Sequence, residues 1–144
     1  MVLLDLSTGS QFIIIQIVHD LNHWVATACI GEEVLVADSL GKATLSDRVK
    51  AQLQQLYASQ IKESGMQVTM VPCPRQTNGS DCGVYAAAVA YAWAEGQTLP
   101  LEWDVARMRP HLIKSLEQAR VSSFPIGKER RGRRPKKVTV HIEV

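Results

Sequence analysis

The chain has 144 residues, 46% of them hydrophobic and 21% charged, which suits one ordinary globular domain with a real core. No apolar run approaches the roughly 18 to 20 residues needed to span a membrane, and Met1 to Gln11 has no basic residue and carries Asp5, unlike a signal peptide. Three cysteines, Cys29, Cys73 and Cys82, make an odd set without a CxxC pair, which argues against a disulfide scaffold or a zinc site and for a reducing compartment.

Phe12 to Val18 is a short apolar, β-branched run and predicts a buried central strand. Asp20 to Asn22 reads as a turn. Trp24 to Ile30 and Val34 to Asp38 are strand-like, and the short Gly31-Glu32-Glu33 connection makes them an antiparallel hairpin. His23 opens the first of these strands and Asp38 closes the second, so the hairpin returns both to one end of the sheet. Thr44 reads as a helix N-cap with Asp47 three residues on, followed by Leu45, Val49, Leu53 and Leu56 at helical spacing and by Gly65 as a stop. Met66 to Val71 predicts another strand, ended by Pro72-Cys73-Pro74.

Residues 76 to 83 read Gln-Thr-Asn-Gly-Ser-Asp-Cys-Gly, and the Ala-rich run Val84 to Ala94 follows at once. Cys82 therefore falls in the first turn of a helix that is apolar nearly all round, the expected central buried helix, with Asp81 as its N-cap. Trp103 to about Arg120 is helical but contains Pro110, which predicts two short helices. Residues 128 to 137 carry seven positive charges and one negative, so against a total of +2 the rest of the chain carries −4. Val138 to Val144 alternates apolar and polar, as a strand in need of a partner would.

A helix N-terminus carries unsatisfied N–H groups and roughly half a positive charge, so it favours a thiolate over a thiol. Lowered thiol pKa values at such positions make cysteines nucleophilic. A cysteine, a histidine and an aspartate held apart in sequence are the parts of a thiol hydrolase. Cys29 and Cys73 read instead as inert small hydrophobes. His19 competes with His23 as the base, but it ends a strand where His23 opens the hairpin. His111 and His141 read as surface residues and Asp20 as a turn residue. Trp24 has an alternative reading as plain core.

His23-Trp24, Asp38-Ser39 and Gln76-x-x-x-x-Asp81-Cys82-Gly83 together resemble the ubiquitin-like-protein-specific (SUMO/sentrin-specific, Ulp-type) cysteine proteases, whose general plan the adenovirus-type proteases share. The similarity runs from about Phe12 to Trp93, with looser agreement through Leu116. The resemblance implies an α+β, papain-like fold of the Ulp/adenain type, with a mixed or antiparallel sheet packed against a buried helix that carries the nucleophile. It implies that Cys82 attacks, that His23 is general base and later acid, that Asp38 orients the imidazole, and that Gln76 helps form the oxyanion hole. A glutamine amide does not titrate, so it is a pH-independent donor. Trp24 resembles the family's aromatic lid over the channel for a Gly-Gly tail, and Gly79 and Gly83 would let backbone approach substrate.

The implied activity is cleavage after the C-terminal glycine of a ubiquitin-like modifier (SUMO, NEDD8 or ubiquitin, SUMO-like above all) or of its conjugates, without cofactor, metal or membrane. Residues 1–120 would be the catalytic domain and 121–144 a basic tail ending in a strand-like segment. Only 22 residues precede His23, fewer than relatives usually carry to grip the modifier. With Met108-Arg109-Pro110-His111-Leu112, this resembles the compact proteases encoded by mobile elements. Two other readings stand beside it: a non-catalytic module that binds ubiquitin-like proteins, and a DNA-associated accessory protein acting through the tail. Arg131-Gly132-Arg133-Arg134-Pro135 approximates a minor-groove AT-hook, while basic runs of this kind also serve as nuclear-localisation signals. The expected location is nuclear or cytoplasmic, and nucleic-acid contact through 128–137 would weaken with salt.

Overall fold

Alternation along the strands decides how this chain layers itself. The structure, a computed structural model, describes residues 2–6, 11–62, 65–128 and 136–143. Its elements run β1 (Val2–Leu6), β2 (Gln11–Asp20), β3 (His23–Ile30), β4 (Glu33–Ala37), α1 (Asp47–Tyr57), a 3-10 turn (Ala58–Gln60), β5 (Gly65–Met70), α2 (Cys82–Ala94), α3 (Val105–Gln118) and β6 (Val138–Glu143). The six strands form one sheet in chain order. All neighbours are antiparallel except β4 and β5, which are parallel with Val34 opposite Val68. A parallel pair needs a long crossover, and α1 occupies the connection between β4 and β5.

One face of the sheet presents Ile13, Ile15, Ala26, Ala28, Leu35 and Ala37 to α2 and α3. Ala26 and Ala28 are fully buried, and α2 meets them with its own small residues, Ala86, Ala88 and Ala92. Small side chains on both surfaces let helix and sheet approach closely at interior packing density. The opposite face presents Ile14, Val18, Val25, Cys29, Val34, Val36, Met66 and Val68 to Val49, Leu53 and Tyr57 of α1. The buried Thr27 of β3, on that face, is satisfied. The Thr27 hydroxyl donates to the Gln16 carbonyl (2.7 Å), so at 2.7 Å from Tyr57 it accepts from the phenol. Burial pushes the Tyr57 phenol up to about 12.

The expected hairpin is present, with Ala26 opposite Ala37 and Ile30 opposite Glu33. Asp20 corrects its expected place: it is the last residue of β2, opposite His23, and Leu21-Asn22 make the turn, Leu21 with a positive φ of 56°. Three further expectations change. Ser46, not Thr44, caps α1, its hydroxyl accepting from Val49 N–H at 3.2 Å, and the helix ends at Tyr57 well before Gly65, which opens β5. Pro110 does not split its segment: α3 is one helix with Pro110 inside. The proline forfeits a single hydrogen bond, to the Ala106 carbonyl, while buried Met108 and Ser115 anchor the helix on either side. The strand Val2–Leu6 is an addition that no expectation covered.

The boundary expected at residue 120 is crossed by structure. Phe124 is buried in the α2-side core, Trp103 bridges Ile126, and β6 completes the sheet against β5. Of the basic run, only Lys128, Lys136 and Lys137 lie among the described residues. No described helix is long and apolar enough to cross a membrane.

Candidate active site

The hairpin does bring His23 and Asp38 together. The His23 ring Nε2 lies 2.6 Å from Asp38 Oδ1, with both side chains nearly buried. A carboxylate only accepts, so Nε2 carries the proton and Nδ1 is left with its lone pair, the tautomer a general base needs. The Leu40 backbone N–H donates to the same Asp38 oxygen at 2.8 Å, so the carboxylate is itself held. Gly41, at φ 73°, closes this turn by donating its N–H to the Asp38 carbonyl.

Cys82 is buried at the first position of α2. Among the described residues its thiol makes no hydrogen bond to His23; two other contacts join the helix start to the base. Such bonds are often long until substrate is in place. The first contact is Trp24, which is 43% exposed and therefore not core. A Cβ placed on Gly83 would lie 3.8 Å from Trp24 Cδ1, so the indole leans against the first turn of α2. His19, the rival base, packs tilted against this same indole with ring centroids 4.4 Å apart and an interplanar angle of 46°, which gives it a packing task.

The second contact is the loop before Cys82. Gln76 donates its backbone N–H to the Ser39 carbonyl (2.9 Å), and the Ser39 hydroxyl donates to the Gln76 side-chain carbonyl (2.5 Å). The Gln76 amide then donates to the Asn78 carbonyl (2.7 Å). An amide nitrogen has two protons, so one Gln76 side-chain N–H is left without an acceptor among the described residues. Gly79 has open space where a Cβ would stand, and neither Gly79 nor Gly83 adopts a positive φ. The fold alone would accept a side chain at both positions.

Asp81 corrects a sequence expectation. It occupies the N-cap position of α2, but its carboxylate caps nothing there. One oxygen accepts from Asn78 Nδ2 (2.6 Å), the other from Arg109 Nε (2.5 Å). The Asn78 bond most of all holds the carboxyl below its ordinary value; burial opposes it, and the Arg109 hydrogen bond and charge add to the lowering. Asn78 folds the loop in front of the helix, its Oδ1 accepting from the Ser80 and Asp81 N–H groups at 2.9 and 3.0 Å.

Ser39, Asn78 and Arg109 are the functional candidates that sequence reasoning passed over. Arg109 carried a signal, since no acidic residue stands three or four positions away on its own helix to pair with it. A cavity of about 390 Å³ lies elsewhere, lined by Trp93, Gln97 and Leu99 near the C-terminal end of α2. At about 1.5 Å per residue, Trp93 lies roughly 16 Å along the helix from Cys82. No group of three His, Cys, Asp or Glu side chains among the described residues is arranged to hold a metal.

The sequence model of the Ulp1 protease family, C-terminal catalytic domain, matches residues 7–124. The chain belongs to the Ulp1 protease family. Solved structures with the same fold include the SUMO protease Ulp1 with its catalytic cysteine oxidised to a sulfenic acid, 20% identical with a TM-score of 0.62 over 74% of this chain and 53% of that one. The sulfonic acid form matches with a TM-score of 0.63 at the same identity and coverage. The C-terminal Ulp1 protease domain in complex with Smt3, the yeast orthologue of SUMO, is 19% identical with a TM-score of 0.56, over 74% and 52% of the two chains. This Ulp1-family chain thus spans about half the length of the structures it matches. No curated protein sequence matches it.

The other two thiols behave as bystanders. Burial, then Glu32, pushes Cys29 up to about 11; burial, then Asp38, pushes Cys73 up to about 12 even though that side chain is only partly covered. At pH 8 their thiolate fractions are then about 10⁻³ and 10⁻⁴, against roughly a quarter for an ordinary free cysteine. Iodoacetamide should therefore modify both at least ~100-fold more slowly than an exposed cysteine, followed by peptide mass spectrometry of the native protein. Labelling of Cys73 at the free-cysteine rate would contradict this.

Proposed function

We propose that this chain is the catalytic domain of a cysteine isopeptidase or processing protease that cuts after the C-terminal glycine of a ubiquitin-like modifier. The observation that carries the reading is the 2.6 Å His23–Asp38 pair, beside an indole that leans on the helix start bearing Cys82, in a chain of the Ulp1 protease family. That an Ulp1 protease domain was solved with a SUMO orthologue supports a modifier of this class as partner.

The sequence of steps follows from the residues. His23 Nδ1 takes the Cys82 proton, and the resulting imidazolium is stabilised by Asp38 through Nε2–H. The thiolate adds to the glycine carbonyl carbon. The oxyanion that forms meets the remaining Gln76 amide proton and the Cys82 backbone N–H, which the first turn of a helix leaves unpaired. The C–N bond breaks as His23 returns its proton to the departing amine. Water, deprotonated by His23, then hydrolyses the thioester and frees the modifier carboxylate and Cys82. Trp24 and the open backbone at Gly79 would wall and floor a narrow channel, suited to a tail whose last residues have no side chains.

The test is cleavage of SUMO–, NEDD8– and ubiquitin–lysine conjugates, resolved on gels. Wild type should cut at least one class and Cys82→Ala none. A folded wild type that binds a modifier but cuts no conjugate would instead make the chain a binding module.

A further inference from the structure

Arg109 stands 27 residues after Cys82, on a different helix, yet its side chain reaches the loop that delivers the nucleophile. Its Nε donates to Asp81 Oδ1 (2.5 Å) and its Nη2 to the Ser80 carbonyl (2.9 Å). The guanidinium thus grips two successive residues in front of Cys82 with one rigid fork, which a lysine cannot do. Asp81 is also where α2 begins, because its carbonyl accepts the Tyr85 N–H at 3.0 Å. Whatever holds Asp81 therefore sets the direction in which the chain enters the helix at Cys82.

The hydrogen bonds continue as far as Ser39. From Asp81 they pass to the Asn78 side chain, from the Asn78 carbonyl to the Gln76 amide, and from Gln76 to Ser39, the residue after Asp38. Asp38 holds His23. One network, anchored on α3 by Arg109, therefore runs from the residue before Cys82 through Gln76 to Ser39, the chain neighbour of Asp38. The Arg109 side chain is 55% exposed while that of Asp81 is 12% exposed, so the pair does not serve to fill the core. The guanidinium is largely in solvent, and what its two bonds fix is the course of the loop at Ser80 and Asp81.

We propose that Arg109 is a positioning residue: it locks residues 78–81 so that Cys82 and Gln76 meet the substrate carbonyl in register. This deepens the protease reading and rests on it for the turnover arm of the test. Misplacement of about 1 Å can reduce rate roughly 100-fold. Arg109→Ala should therefore lower kcat about 100-fold on a SUMO C-terminal aminocoumarin amide while changing KM less than about 3-fold. Arg109→Lys, which keeps the charge without the fork, should recover no more than about a tenth of the wild-type rate. Alanine is a good helix former at an exposed site, so both variants should keep the wild-type melting temperature.

The second arm needs no activity. Native-state amide exchange at Ser80 and Asp81 should speed up about tenfold in Arg109→Ala, with the amides of β2, β3 and β4 unchanged. Unchanged exchange at Ser80 and Asp81, or full turnover by either variant, would overturn the proposal. If wild type turns over no ubiquitin-like substrate, the protease reading falls, while the exchange arm still decides whether Arg109 holds the loop.

Discussion

Asp38→Asn should lower kcat by about 10⁴-fold with the fold intact, the scale set by removing the carboxylate from a hydrolytic triad. The carboxylate has two effects here that an amide does not reproduce. It accepts the His23 Nε2 proton at 2.6 Å, which leaves Nδ1 as the basic nitrogen, and in the proposed first step its charge would offset the imidazolium formed as Cys82 loses its proton. Asparagine can turn its NH₂ to the ring, reverse the tautomer and point a proton where the lone pair is needed. The Leu40 N–H shares that same oxygen and then loses its acceptor, one exposed bond, while the Gly41 N–H still bonds the residue 38 carbonyl and holds the turn after β4. Progress curves on an aminocoumarin substrate, with a thermal melt beside them, check this. A loss below tenfold would mean that His23 acts without Asp38.

The largest effect on stability falls on α1. Leu53→Ala should destabilise the domain by about 2 to 5 kcal/mol, since it removes a wholly buried side chain from the middle of a rigid layer. Val49 and Tyr57 lie one turn to either side, and the sheet face below is β-branched Val25, Val34 and Val36, which has little freedom to collapse into the space. Domains of this size are stable by roughly 5 to 15 kcal/mol, so this loss is a large part of the whole. Urea unfolding followed by far-UV circular dichroism measures it, with Leu56→Ala, at a partly buried position, as the milder control. A loss below about 1 kcal/mol for Leu53→Ala would contradict the packing described.

The parts of the site that were legible in the sequence share a cause: each depends on local periodicity or on a short connection. The hairpin around Gly31 determines where His23 and Asp38 end, and the abrupt change from Asn78-Gly79 to an alanine-rich run marks the helix start at Cys82. What was not legible depends on groups far apart. Asp81 reads as a cap because Ser, Asn and Asp before a helix normally cap it; its real partner, Arg109, is 28 residues on and belongs to α3. Pro110 reads as a break by the same local logic, which buried Met108 and Ser115 override from outside the helix. Ser46 displaced Thr44 as the cap although both are hydroxyl residues, because the apolar stripe that must face the sheet is Val49, Leu53 and Tyr57, and a helix opening at Asp47 presents it. For the C-terminal segment, alternation revealed a strand, while its partner β5, some 70 positions earlier, lay beyond any local pattern.

A protease of the proposed kind requires Cys82 as the nucleophile of a site that accepts a ubiquitin-like tail. The most direct measurement is the reaction of the native protein with SUMO, NEDD8 and ubiquitin carrying a C-terminal electrophile, followed by peptide mapping of the adduct. The account predicts a covalent adduct with at least one modifier, carried on Cys82, absent from Cys29 and Cys73, and slowed strongly by Asp38→Asn. An adduct on Cys73, or a folded protein that reacts with none of the three, would contradict it.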